Sequence, residues 1–339
     1  MLSRLDRLAY HSQHLSFLFN ATVMQEAARI VSRVPRPHLS ASVVRVLEAR
    51  RVELHRRDLA NVEAGAYPRE LLFDIPVRRY LREFPRLLRD APRVVRRMRA
   101  KDFRDIPGGL DRERFPPYYR RTFHWQTDGY FSEHSAELYE LGVELLFRGT
   151  ADVMRRQIIP PVTELVRAHG ADHVRLLDVG CGTGRTLHQL ARTHPRLRLH
   201  GVDLSPAYVR LARKRLADVA ELTLAIENAE ALPWADAAFD VATSVYLFHE
   251  LPRRARRNVA RELARVVRPG GLVVVEDSAQ PAESPELEAV LHDFPREFHE
   301  PFYEDYLTDD LAALLGEAGL VVEDVQPHLV AKVVIARRP

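Results

Sequence analysis

The carboxyl-terminal half of the sequence predicts a doubly wound α/β sheet, and the amino-terminal third predicts an all-helical extension. Three observations carry this. An apolar run, Val174 to Val179, ends in glycines at 180, 182 and 184 and leads into a helix-like segment. Four further short apolar stretches follow, alternating with helical patterns, which is how a buried parallel sheet reads. Residues 1–105 instead carry leucine and arginine at helix spacing, with few strand formers.

In the helical part, residues 40–62 begin with Ser40, a good N-cap, and end before Gly65. Residues 68–104 contain Pro68, Pro76, Pro85 and Pro92, each expected to start a short helix or kink a longer one. Arg78, Arg82, Arg86, Arg89, Arg93 and Arg96 recur every three or four residues, and so do Val77, Leu81, Phe84, Leu88, Val95 and Met98. The spacing predicts an amphipathic basic helix pair. Three roles fit it: a solvated face over a helical subdomain, contact with an anionic membrane surface or acidic partner, and nucleic-acid binding. The first is the simplest. Aromatic residues are not interleaved with the arginines, and no nucleic-acid module is present, so nucleic acid is not the expected partner. Ile106-Pro107-Gly108-Gly109 is a turn, Phe115 to Tyr119 is stiff and aromatic, and the chain returns to helix from about Ser132 to Val166.

The glycine turn decides between nucleotide-binding chemistries. A dinucleotide fingerprint would need its third glycine at 185, where the chain has Arg185. No Gly-Lys-Ser/Thr follows, so it is not a phosphate loop. The second strand, Leu197 to Val202, ends in Asp203, nineteen residues beyond Gly184. An acid at that tip accepts hydrogen bonds from ribose hydroxyls. The third apolar stretch, Leu222 to Ile226, is followed by Asn228-Ala229-Glu230-Ala231-Leu232-Pro233. A fourth strand begins at Phe239, a helix follows near 253–267, and Pro269-Gly270-Gly271 reverses the chain before a fifth strand, Leu272 to Glu276.

The pattern Asp178-x-Gly180-x-Gly182-x-Gly184 resembles motif I of the class I S-adenosylmethionine-dependent methyltransferases, and the later signals occur in that family's order over roughly residues 170–280. The resemblance is to the type 11 subgroup, which includes quinone and small-molecule methyltransferases. It implies a seven-stranded Rossmann-like sheet of order 3-2-1-4-5-7-6, with the two terminal apolar runs, near 320–328 and 330–337, as an antiparallel edge hairpin. It implies S-adenosyl-L-methionine as cofactor, held by Asp178, Gly180, Cys181, Gly182, Gly184, Asp203, Leu204, Asn228, Ala229 and Ser244. Leu204 would lie on the adenine face, and Asn228 and Ala229 would meet the adenine edge. In many such enzymes the stretch before the first strand closes over the cofactor as a lid. The expected organisation is therefore a helical extension (1–110), a lid segment (111–168) and the methyltransferase domain (169–339).

At 339 residues the chain is long enough for two domains. Its net charge of +3 hides an asymmetry, because residues 1–130 hold 26 basic and 15 acidic side chains. No run approaches the roughly 20 apolar residues of a membrane span. Leu15 to Met24 contains Ser16, Asn20 and Thr22 and lacks a signal-peptide cleavage site. A cytoplasmic protein is expected. The sole cysteine, Cys181, excludes an internal disulfide and cysteine zinc sites, and reads as a small residue filling a tight turn.

Methyl transfer from a sulfonium needs alignment and, for acceptors that are not already nucleophilic, removal of a proton. It needs no covalent protein nucleophile and no metal. Two echoes, Phe248-His249-Glu250 after the fourth strand and Phe298-His299-Glu300 after the fifth, fall where doubly wound sheets bind ligands. His249 and His299 are the candidate bases, with Tyr130 of the lid segment as a further catalytic candidate. Tyr246, Phe302, Tyr303 and Tyr306 are candidate walls of an acceptor pocket. The expected activity is methylation of a small or medium-sized organic acceptor at oxygen, carbon or nitrogen. RNA or protein methylation through the basic half, and a non-catalytic scaffold, are the alternatives.

Overall fold

The computed structural model describes residues 2–32 and 40–339. The stretch 33–39, part of the region expected to be helical, lies outside the described residues. The chain divides into two compact units, Met1–Met154 and Arg155–Pro339.

The first unit contains α1 (Arg4–Ser32), α2 (Ala41–Glu63), α3 (Val77–Ala100), α4 (Glu133–Leu146) and the short α5 (Ala151–Arg155) that crosses the boundary. Ser40 caps α2, its Oγ accepting from Val43 N at 3.3 Å. Pro68 and Pro76 each precede a helical segment, Arg69–Phe73 and α3, but the arginine-rich part expected to be a pair of helices is the single helix α3. Pro85 and Pro92 both face solvent, so water can take up the carbonyls they leave unpaired. The buried face of α3 is also rotated from the expected one. Tyr80, Phe84 and Leu87 pack with Ala21, Leu141 and Leu145, whereas Val77 and Leu81 are 52% and 61% exposed. The segment expected to act as a lid is tied to this unit. Buried Arg97 donates from Nε and Nη2 to the Trp125 carbonyl at 3.1 and 3.0 Å, and Thr127 Oγ1 donates to Asp90 at 2.7 Å.

The second unit contains α6 (Ile159–His169), β1 (Arg175–Val179), α7 (Arg185–Thr193), β2 (Arg198–Asp203), α8 (Pro206–Arg215), β3 (Leu222–Ile226) and β4 (Phe239–Val245). After these come α9 (Arg253–Val266), β5 (Val267–Ser278), α10 (Glu288–Glu297), α11 (Tyr303–Leu307), α12 (Leu311–Glu317), β6 (Val321–His328) and β7 (Ala331–Arg337). The sheet order is β3-β2-β1-β4-β5-β7-β6. The first five strands are parallel, and β7 runs antiparallel to β5 and β6. The central strands are apolar on both faces, as a doubly covered sheet requires.

Three local expectations are corrected. The helix expected over 132–166 breaks at Arg148 and Gly149, both at positive φ (50° and 83°). The last helix is capped by Asp310, which accepts from Ala312 N at 2.8 Å, because Thr308 closes α11 instead. Pro269-Gly270-Gly271 lies within β5, since Gly270 N donates to the Arg338 carbonyl at 2.8 Å and Arg338 N to that of Gly271 at 3.1 Å. No helix among the described residues is long and apolar enough to cross a membrane.

A polar knot sits inside the helical unit. Asp58, fully buried, accepts from Tyr10 Oη at 2.6 Å and Tyr67 Oη at 2.5 Å. Asp58→Ala would remove the carboxylate that both buried phenols share, leaving Tyr10 to His55 Nδ1 and Tyr67 to the backbone carbonyl of residue 58. It should lower stability by about 2–4 kcal/mol, read by chemical denaturation of the full chain.

Candidate active site

The turn after β1 hooks onto β2, with Gly180 N and Cys181 N both donating to the Val202 carbonyl, at 2.9 and 3.0 Å. Two of its glycines do different work. Gly184 has φ 77°, and a Cβ there would stand 3.0 Å from the side chains of Ala212 and Leu216, so it allows α8 to pack. Gly182 has φ 52°, and a Cβ there would meet nothing within 4 Å. Among the glycines of the turn only Gly182 is open, and its N–H donates to Asp203 Oδ2 at 2.9 Å. Cys181 is buried and its Sγ stands 3.0 Å from where a Cβ on Gly201 would be. Gly201, which the sequence reading passed over, is therefore required by packing. Its signal was a glycine in the middle of a strand.

Asp203 closes β2, its Oδ1 accepting from Ser205 N at 2.8 Å. Burial raises its pKa to about 6 against the two backbone N–H groups that pull it down. Leu204 and Ala229 are half-buried. Asn228 forms a side-chain turn, accepting from Glu230 N at 3.0 Å, and Asn258 of α9 holds Glu230 at 2.8 Å. Asp178 lies inside the sheet end, accepting from Thr243 Oγ1 at 2.8 Å. Burial raises it to about 7, with Thr243 pulling down and Asp203 pushing up. Ser244 is fully buried and donates to the Val179 carbonyl at 3.0 Å. Its hydroxyl braces β4 to β1.

His249 is buried at the carboxyl end of β4, and its Nδ1 lies 2.6 Å from Asp277 Oδ1. Phe248 N and Ser278 N donate to the same carboxylate, each at 2.7 Å. Burial disfavours the imidazolium, but Asp277, through charge and hydrogen bond, and then Glu300 and Glu250 outweigh it, so His249 is raised to about 9. The rings of Tyr303, Tyr306 and Tyr246 stand edge-on to it at 5.7, 6.3 and 6.3 Å. The two tyrosines of α11 are fixed by an arginine clasp. Fully buried Arg256 of α9 binds Asp309 at 2.9 Å and also Asp305, and Arg253 binds Asp305 and Asp309 at 3.0 and 3.1 Å. Tyr246 has φ 57°, a strained backbone for an aromatic residue at the mouth of the sheet.

His299 follows α10 and is half-buried. The neighbour from that segment that acts on His249 is Glu300. Tyr130 belongs to the first unit, where its hydroxyl meets His124 Nε2 at 3.0 Å. The sequence reading missed Glu276 and Asp277. Both are fully buried. Burial raises Glu276 to about 8, with Tyr246 and Arg155 pulling down and Asp277 pushing up.

Residues 176–271 match a family described as a methyltransferase domain. The chain is 30% identical over 180 residues to a malonyl-[acyl-carrier protein] O-methyltransferase of Geobacter sulfurreducens, covering 51% of this chain and 67% of that one. It is 32% identical over 206 residues to an O-methyltransferase of Pyrenophora dematioidea, covering 58% and 68%. It is 37% identical over 102 residues to a 2-methyl-6-phytyl-1,4-hydroquinone methyltransferase of Synechocystis, covering 30% and 31%.

The Asp277 pair can be read without any ligand. Asp277→Asn removes the charge that holds His249 near 9. Burial then opposes only Glu300 and Glu250, and the imidazole should titrate well below about 9. A histidine-resolved NMR titration reads this directly.

Proposed function

Because the chain belongs to the class I S-adenosylmethionine-dependent methyltransferases, we propose that it methylates an oxygen of a small organic acceptor held at the carboxyl ends of β4 and β5. S-adenosylmethionine supplies the electrophilic methyl. The open turn at Gly182, bordered by Asp203, fits that cofactor: a Cβ at Gly182 would meet nothing within 4 Å, and each Asp203 oxygen keeps a lone pair for a ribose hydroxyl. Asn228 and Ala229 would face the adenine edge and Leu204 its ring. Asp178 supports the turn through Thr243.

The observation that carries the acceptor side is the His249–Asp277 pair, 2.6 Å apart, at the ligand-binding end of the sheet. His249 takes the acceptor proton, and Asp277 orients the ring and stabilises the imidazolium that results. The oxygen acceptor is supported by the relatives named O-methyltransferase. A second reading rests on the raised pKa of His249, about 9. At pH 7 that leaves roughly one neutral imidazole in a hundred. An acceptor that arrives already ionised, such as a carboxylate, would need His249 as a cation rather than as a base.

Two experiments test these roles. Asp203→Ala should weaken S-adenosylmethionine binding by about 1–3 kcal/mol in calorimetry, and unchanged affinity would remove Asp203 from the ribose. Gly182→Val should weaken binding further, since its side chain enters the open space. His249→Ala should slow transfer by roughly 10²–10⁴-fold with cofactor affinity intact. The wild-type pH profile separates the two acceptor readings. A base gives a rate that climbs with pH and levels above about 9. A cationic His249 gives a rate that falls over the same range.

A further inference from the structure

Helix α1 is apolar on two opposite faces. Its inner face, including Tyr10, Phe17, Ala21 and Met24, packs within the helical unit. On the other side Leu5, Leu8, Leu15, Phe19, Val23 and Ile30 recur at helical spacing, and each is at least 51% exposed. Only Ser12 and Glu26 interrupt the stripe. It extends about 38 Å along the helix. From Leu8 to Gln25 there is no Asp, Glu, Lys or Arg, in a chain that is 29% charged. Two apolar faces on one helix are the pattern of an element covered on both sides.

The charge of the same unit says what covers the second face. Residues 1–154 hold 27 basic and 20 acidic side chains. Arg78, Arg82, Arg89, Arg93 and Arg96 share the exposed face of α3, the helix that packs beside α1. A second copy would bring two surplus-positive units together. A nucleic acid would gain nothing from leucine, valine and isoleucine, which neither stack on bases nor pair with phosphate. An anionic lipid surface satisfies both features. Its headgroups attract arginine, and its acyl boundary takes up the apolar face of a helix lying in the plane of the interface. Arginine also keeps its charge at the headgroup level while its stem lies on apolar surface.

We propose that the N-terminal unit docks on anionic lipid bilayers, laying the outer face of α1 into the interface while its exposed arginines meet the headgroups. The proposal is independent of the acceptor reading, because it concerns neither the sheet nor His249.

The test is co-sedimentation of the full chain with vesicles of phosphatidylcholine alone and of phosphatidylcholine with phosphatidylglycerol. The wild type should bind the anionic vesicles at least tenfold more strongly, and binding should weaken as salt rises. Two variants separate the contributions. Leu15→Glu with Phe19→Glu removes the apolar stripe, and Arg82→Gln, Arg89→Gln and Arg93→Gln together remove charge. All five side chains are exposed, so both variants should fold, as circular dichroism and unchanged S-adenosylmethionine affinity would report. Each should lose at least tenfold in vesicle binding. Failure of the wild type to pellet with anionic vesicles would overturn the proposal. So would a concentration-dependent dimer, in light scattering, that Leu15→Glu with Phe19→Glu abolishes. Salt-sensitive RNA binding without vesicle binding would overturn it in favour of a nucleic-acid surface.

Discussion

The carboxylate of Asp277 fixes the carboxyl ends of β4 and β5. It is fully buried and takes three donors: the His249 ring, Phe248 N and Ser278 N. A carboxylate in that position without partners would be strongly unfavourable. The loop after β4 must therefore fold back against the end of β5, and His249 has one place to go. The aromatic wall follows from this. Tyr303 and Tyr306 can pack on the imidazole because the arginine clasp on α9 holds α11 beside it. Removing Asp277 would release the ring, the loop backbone and the charge on His249 together, so it acts as a positioning residue for all three.

The glycine turn and the His249–Asp277 pair were legible in the sequence to different degrees, for a physical reason. Asp178, Gly180, Gly182 and Gly184 lie within seven residues, so their spacing alone encodes a strand, a turn and a helix start. Asp203 and Asn228 follow at the tips of the next two strands, where alternation of strand and helix places them. The His249–Asp277 contact joins residues 28 apart. It exists only because β4 and β5 are neighbours in the sheet. One signal was available: acids that close an apolar strand, as in Val275-Glu276-Asp277, have to find partners among the adjacent loops. Ser244, implied by the resemblance alone, donates to the carbonyl of the neighbouring strand.

In the helical unit the helices were legible and their faces were not. Periodicity assigned Val77 and Leu81 of α3 to the core because apolar residues were assumed to mark the inside. The inner face keeps the expected Val95 but also holds Tyr80 and two charged residues, Glu83 and Arg97. Arg79 bridges Glu83 and Glu140, at 2.5 and 3.0 Å, and Arg97 serves the Trp125 carbonyl. Charge is tolerated inside when every buried group has a partner, and a single sequence does not show those partners. The apolar residues displaced from the core are left on the surface.

The ionisable groups at the strand ends link stability to the site's chemistry. Asp178, Asp203 and Glu276 are each raised chiefly by burial, to about 7, 6 and 8. The folded state therefore favours their neutral forms. The stability they contribute is fully present below the unfolded carboxyl values of about 4 and is lost as pH rises through 6 to 8. His249, raised to about 9 by Asp277 against its own burial, works in the same direction, its contribution lost as pH rises through that value. The sheet end thus grows less stable over the range in which a base there would become active. On the proposed role of Asp203, a ribose donating hydroxyls would favour the carboxylate form and offset part of that loss. Cofactor affinity would then be coupled to Asp203 ionisation and strengthen as pH rises through about 6. The same burial that raises Asp203 would make a donor-bearing ligand its natural complement.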